Sequence, residues 1–269
     1  MTDDGAHPPT SEARRAFVDD FPGPELRGDL WVAQYLPQWT TPDRSAARYA
    51  VVAEGLQLRI EEDQPDWRPE DGPLRVSNLQ TGVHSGAEGT TRGTHRHRAD
   101  GLVVRTATGT RLSWAPSAGR LTVTVSAATG SSCMLAAWLI GTEHRSEDDA
   151  GEICIFEIDA SAIGPESTTA RSGIKAHHDP RLHDDMAEVL LPFRAVRPHT
   201  WTVVWGGGTT VISCEGAVVR TLDQAPDYPL FLMLDLFEIG SRGGAYPKTA
   251  VIHRVMGQAV STGARSAER

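Results

Sequence analysis

The sequence predicts an all-β protein, a sandwich of antiparallel sheets, and three observations carry that expectation. Apolar and polar residues alternate with period two at 56–60, 121–125, 201–203 and 211–214, the pattern of strands with one face buried and one wet. The 26 Gly and 17 Pro fall between short β-rich runs, so turns are frequent and strands many. Neither strand–helix–strand alternation nor a repeat of about 20–50 residues is present, which excludes a nucleotide-binding α/β sheet, a solenoid and a propeller.

Taken in order along the chain, residues 1–15 hold too little apolar side chain to offset the entropy of ordering and read as a disordered lead. The folded body spans 16–260 as a single domain, and 261–269, STGARSAER, reads as a disordered tail. Turn signals divide the body at Pro69-Glu-Asp-Gly72 and Pro116-Ser-Ala-Gly119. Gly206-Gly207-Gly208 reads as a hairpin tip between Trp205 and Val211. The one helix-like stretch is short, at 183–190 (HDDMAEVL).

Among 269 residues, 26 Lys and Arg stand against 35 Asp and Glu, a net charge of −9. That balance argues against a nucleic-acid partner, since phosphate recognition needs a basic surface. The longest apolar runs, at 133–141 and 229–237, fall far short of the ~20 residues a membrane helix needs, so no membrane partner is expected. The opening residues lack the apolar core of a secretory signal, which predicts a cytoplasmic location. Three cysteines (Cys133, Cys154, Cys214) without C-x-x-C spacing point to reduced thiols rather than a disulfide framework or zinc cage.

The most informative segment is Gly151-Glu152-Ile-Cys154-Ile-Phe156-Glu157-Ile-Asp159. Two glutamates among β-branched and aromatic residues are costly unless the strand lines a water-accessible cleft. On a regular strand Glu152 and Glu157 point to opposite faces. A one-residue bulge between Cys154 and Glu157 returns both to one face, with Cα atoms ~13 Å apart. Side chains leaning together then close toward the ~5–5.5 Å separation of the carboxyls in retaining glycosidases.

At this point the sequence resembles glycoside hydrolase family 16, the laminarinase and lichenase group with a concanavalin A-like jelly roll. The family's E-x-D-x-x-E motif aligns with Glu152-Ile-Cys154-Ile-Phe-Glu157. The blocks around Gly119-Arg120-Leu121, Ala137-Trp138-Leu139-Ile140-Gly141, His199-Thr200-Trp201 and Tyr228 to Leu234 fall in the family's order, over about 17–260. The resemblance implies a jelly-roll sandwich, an oligosaccharide or other small-molecule substrate, Glu152 as nucleophile and Glu157 as general acid/base. Cys154 is the departure. Where the family places Asp, a thiol with a reference pKa near ~8.5 is neutral and cannot tune the nucleophile.

The resemblance also brings forward a set of substrate-binding candidates. Trp138 abuts the acid strand and reads either as packing or as a stacking surface for a sugar, while Trp201 and Trp205 read as core. His177 or His178 is placed on the strand after the acid motif, facing the cleft. Asn78 and Gln80 lie in a segment matching a cleft-lining block, or in a plain hairpin. Asp235 is placed, with Glu238, on the cleft's far rim. The histidines at 95, 97, 177, 178 and 183 read as exposed loop residues, because no carboxylate or thiol completes a metal set at standard spacing. The acidic run Glu143, Glu147, Asp148, Asp149 reads as a solvated loop. No cofactor or metal is expected. A retaining glycoside hydrolase leads the functional readings. Behind it stand a non-hydrolytic cytoplasmic enzyme of a small-molecule pathway that uses the same Glu pair for acid/base cyclisation or proton transfer, and a non-catalytic carbohydrate-binding module.

Overall fold

The computed structural model describes residues 15–260, apart from 99, 129 and 131. The expectations for the two chain ends therefore concern residues outside those described, save Arg15. In chain order the strands are β1 (Ala16–Asp19), β2 (Arg48–Val52), β3 (Gly55–Ile60), β4 (Leu74–Gln80), β5 (Gly82–His84), β6 (Thr110–Leu112), β7 (Gly119–Ser126), β8 (Cys133–Gly141), β9 (Glu152–Asp159), β10 (Thr168–Lys175), β11 (Asp185–Leu191), β12 (His199–Gly206), β13 (Thr209–Cys214), β14 (Ala217–Leu222), β15 (Leu230–Ile239) and β16 (Lys248–Ala259). One sheet runs β14-β13-β12-β7-β16-β3-β2, with β1 beside β16. The other runs β11-β10-β9-β8-β15-β4, and β5 and β6 form a separate ribbon. All pairings are antiparallel.

The four alternating segments of the sequence became β3, β7, β12 and β13, all in the first sheet. Their inward residues, Leu56, Leu58, Leu121, Val123, Val203 and Ile212 among them, pack on the second sheet together with Trp201 and Trp205. The hairpin at Gly207–Gly208 closes β12 onto β13, and both glycines have positive φ (62° and 83°), the backbone that a two-residue turn between twisted strands requires.

β8 and β15 are apolar almost throughout because both of their faces are covered. Leu135, Ala137 and Leu139, with Leu230, Leu232, Leu234 and Leu236, face the first sheet. Ala136, Trp138 and Ile140, with Phe231, Met233 and Phe237, face outward beneath Tyr35, Leu36, Trp39, Trp67, Leu102 and Val104 from the loops. Those loops are pinned by buried hydrogen bonds. Trp39 Nε1 and Gln38 Nε2 donate to the Thr94 carbonyl, Thr94 Oγ1 donates to the Thr142 carbonyl, and Trp67 Nε1 donates to the Tyr35 carbonyl.

The segment at 183–190 is not a helix; most of it is β11, paired with β10 alone. Met, Ala, Glu and Leu favour helices when exposed, but here the open edge of β10 supplies a ladder that outweighs propensity. Asn78 and Gln80 do not sit in a hairpin either. β4 pairs with β15, whereas β5 pairs with β6.

Candidate active site

The site is set by an irregularity in β9. Against β8, Ala137 pairs with Phe156 but Trp138 with Cys154. Against β10, Arg171 pairs with Glu157 but Gly173 with Cys154. Ile155 is therefore an extra residue, a bulge at the place the sequence predicted. Ile153, Ile155, Phe156 and Ile158 all point into the core, so Glu152, Cys154 and Glu157 share the outer face.

Register extends these positions into rows across the sheet. Asn78, Asp235, Ala136, Glu157 and Arg171 form one, Gln80, Met233, Trp138, Cys154 and Gly173 the next, and Phe231, Ile140, Glu152 and Lys175 a third. Gly173 has φ +152°, and a Cβ there would lie 1.9 Å from the Asp185 carbonyl oxygen; only glycine lets β10 run this close to β11 beside the bulge.

Glu152, Cys154 and Glu157 each present a ligand atom within 4.8 Å of the other two. Lys175 spans the carboxylates, its Nζ 3.0 Å from Glu152 Oε1 and 2.6 Å from Glu157 Oε1, and lies 5.2 Å from the centre of the Trp138 ring. Arg171 Nε donates to Glu157 Oε2 at 2.9 Å, and His177 Nε2 lies 3.0 Å from Glu152 Oε2. Burial pushes the Glu152 carboxyl up, but the hydrogen bond from His177 and the charge of Lys175 prevail and hold it at about 2. Burial, then the charges of Glu157 and Glu152, push the Cys154 thiol well above its ordinary range, so it stands between the acids as a neutral group. The tuning that Cys154 cannot supply comes instead from β10 and the turn after it.

Other predicted residues are distributed unevenly. Trp138 is buried on the sheet floor beside Cys154. His177 meets the nucleophile candidate, but from two residues beyond the end of β10 rather than from within a strand. His178 turns away to Glu143 and Arg96. Asp235 lies on the sheet floor rather than a rim, in the strand between β8 and β4, fully buried and accepting a 2.7 Å hydrogen bond from Asn78. Burial, with a smaller contribution from the charge of Glu152, pushes its carboxyl well up. Gln80 is likewise buried, and neither of its amide atoms has a protein partner.

The acidic run is not uniformly solvated. Glu143 is 2% exposed; it accepts the His95 backbone N–H and pairs with His178 and Arg96. Asp149 is tied to Arg181. The histidines also differ from expectation, because a carboxylate does complete a set: His95, His177 and Glu152 offer ligand atoms within 4.8 Å of one another. Spacing could not show this, since the three come from separate loops and a strand.

Sequence reasoning left out Lys175 and Arg171, and read His95 and Glu143 as exposed. For the first two a signal existed. Ala170, Ser172 and Ile174 alternate with Arg171, Gly173 and Lys175, which places both cations on the face opposite the apolar set.

No family model and no curated protein matches this sequence. Solved structures do match. A GlcNAcα1-4Gal-releasing endo-β-galactosidase from Clostridium perfringens superposes with a TM-score of 0.78 at 20% identity, over 94% of this chain and 64% of that protein. This chain thus spans less than two thirds of that relative's length. The catalytic domain of an endo-1,3-β-glucanase (laminarinase) from Thermotoga petrophila RKU-1 superposes at 0.61 with 13% identity, covering 91% of this chain and 97% of that one. A Bacillus licheniformis β-glucanase does so at 0.59 with 14% identity, covering 93% and 100%.

The fold is the jelly-roll β-sandwich that these structures share.

Within this fold, the outer face of the six-stranded sheet is closed over β15, β4 and β8 by the Tyr35–Trp67–Val104 loops. It is accessible over β9 and β10, where the Lys175, His177 and Arg171 side chains remain 25–41% exposed. Beside it, at His177, lies a cavity of about 380 Å³ lined by Arg96, His97, Arg98, His177 and His178. Chemically the site combines an ionised carboxylate, a second carboxylate at close range, an ammonium bridging the two and a flanking imidazole.

Proposed function

We propose that this protein cleaves glycosidic bonds with retention, acting on a short oligosaccharide or the end of a longer one, with Glu152 as nucleophile and Glu157 as general acid/base. The observation that carries the reading is the approach of the two carboxylates to within 4.8 Å. That is near the ~5–5.5 Å at which one carboxylate attacks the anomeric carbon while the other protonates the leaving oxygen, and too close to admit an attacking water between them. Glu152, held at about 2, is ionised across the neutral range, as a nucleophile must be.

Lys175 bridges the pair while no substrate is bound. Its flexible stem lets the ammonium swing aside as a sugar ring enters, which frees Glu157 Oε1 to face the leaving oxygen while Arg171 keeps hold of Oε2. The loop cover over β4, β15 and β8 removes half of what would otherwise be a groove, hence the short substrate. The likeness to an endo-β-galactosidase and a laminarinase supports a glycan.

The test is release of aglycone or reducing ends from aryl β-glucosides, aryl β-galactosides and short β-linked oligosaccharides. Glu157→Gln and Glu152→Gln are expected to lose about 10²–10⁴ in rate with the fold intact. Absence of product from every such substrate with wild-type protein overturns the proposal. The loop cover that shortens the cleft also favours a second reading, acid/base chemistry on a small non-sugar molecule. That reading gains if apolar ligands, and not sugars, protect the protein against thermal unfolding.

A further inference from the structure

Three separate parts of the chain bring His95, His177 and Glu152 together. His95 follows Thr94, which is anchored through its carbonyl and its hydroxyl by Gln38, Trp39 and Thr142. His177 follows the end of β10, and Glu152 opens β9. Their rings and carboxylate are already in contact: the imidazoles meet edge to face with centroids 4.9 Å apart, and His177 Nε2 is 3.0 Å from Glu152 Oε2. Glu143 ties the two loops together, accepting the His95 backbone N–H while pairing with His178.

Backbone conformation marks the same spot. Among the described residues seven non-glycines have positive φ, and three of them, His95 (56°), Glu143 (51°) and His177 (52°), converge here. Such backbone strain persists where the surrounding structure holds a functional geometry.

We propose that His95, His177 and Glu152 form a binding site for one first-row divalent ion such as Zn²⁺, with its remaining coordination positions open toward the cavity lined by Arg96, His97 and Arg98. Two imidazoles and one carboxylate are a donor set suited to such ions. Bonds of about 2.0–2.2 Å place two ligand atoms on one ion no more than ~4.4 Å apart, so the 4.8 Å envelope closes with small side-chain rotations. The Glu152 oxygens divide the work: Oε1 faces Lys175 and Oε2 faces the imidazoles. The ion therefore approaches from the side away from the ammonium. The site has a consequence for the activity proposed above, although its existence does not rest on that activity. An ion bound to Glu152 Oε2 draws electron density from the carboxylate and weakens Oε1 as a nucleophile, so the loaded form cleaves glycosides more slowly and a chelator restores the rate.

The experiment is calorimetric titration of untagged, chelator-treated full-length protein with Zn²⁺, repeated with Co²⁺ to follow its visible absorption. Wild type is expected to bind one ion per chain. His95→Gln and His177→Gln should each weaken binding by at least about 30-fold, with unchanged circular dichroism, while His183→Ala and His253→Ala leave it unaltered. Lys175→Gln should tighten binding about three- to tenfold, since it removes a neighbouring positive charge, a change that mere loss of structure does not produce. Absence of one-to-one binding overturns the site, as does binding that survives both His95→Gln and His177→Gln. Because the readout is binding, a chain that takes up the ion but cleaves no glycoside refutes only the catalytic reading, and the reverse outcome refutes only the metal site.

Discussion

Replacing His177 with Ala isolates what holds Glu152 ionised inside the sheet. In the folded chain that carboxyl sits at about 2 against an ordinary 4.5, and at about 1.4 kcal/mol per pH unit the fold favours the ionised form by about 3 kcal/mol. Because the folded value is depressed, this stabilisation is fully present above pH ~4.5 and is lost as the pH falls toward 2. The His177 Nε2–Glu152 Oε2 hydrogen bond at 3.0 Å to a charged acceptor contributes roughly 1.5–3 kcal/mol, half or more of the total. Its loss, with Glu152 still 1% exposed, moves the carboxyl upward by about one to two pH units. Urea unfolding of wild type, His177→Ala, Glu152→Gln and the double variant, at steps from pH 2.5 to 7, reads this as a coupling energy. Other depressed carboxylates such as Asp71 cancel in the cycle. We expect a coupling of about 1.5–3 kcal/mol at pH 6 that fades at acid pH. A value under about 0.5 kcal/mol, or one that does not change with pH, refutes the reasoning.

Gly173→Ala places a Cβ 1.9 Å from the Asp185 carbonyl oxygen at φ +152° and should cost roughly 3 kcal/mol, a fall in Tm of about 6–12 °C by calorimetry. Arg75→Met leaves the buried Glu238 without the guanidinium now 2.7 Å away, and urea unfolding should show a loss of about 3–5 kcal/mol. Cys133, Cys154 and Cys214 are buried and unpaired, and burial pushes Cys133 to about 11, Cys214 to about 12 and Cys154 well up. Iodoacetamide at pH 8 should accordingly label none of them in native protein and all three in urea, read by mass spectrometry.

The architecture was legible where physics is local. Period-two alternation marked β3, β7, β12 and β13, and Gly206-Gly207-Gly208 marked a turn. The bulge was legible because two acids five residues apart on one strand reach the same face only if a residue is inserted. What remained hidden depended on tertiary neighbours. β11 reads as helix until the open edge of β10 is present to pair with it. Glu143 reads as solvated until His95 and Arg96, which lie far away in sequence, are seen to enclose it. Asp235 reads as a rim residue until register places it opposite Asn78 and Ala136. The His95–His177–Glu152 cluster has no sequence signature, because loop closure alone creates it.

The position of β15 in the six-stranded sheet bears on how the chain is made. β4 and β8 lie on either side of it, yet Leu79 of β4 meets Leu234 of β15, a partner translated about 150 residues later. At roughly 5–20 residues per second, the growing chain carries β4 unpaired along that edge for about 8–30 s, with Val76 and Leu79 open to solvent or to other nascent chains. Slowed translation between these two strands should therefore depress soluble yield more than the same delay placed after β15.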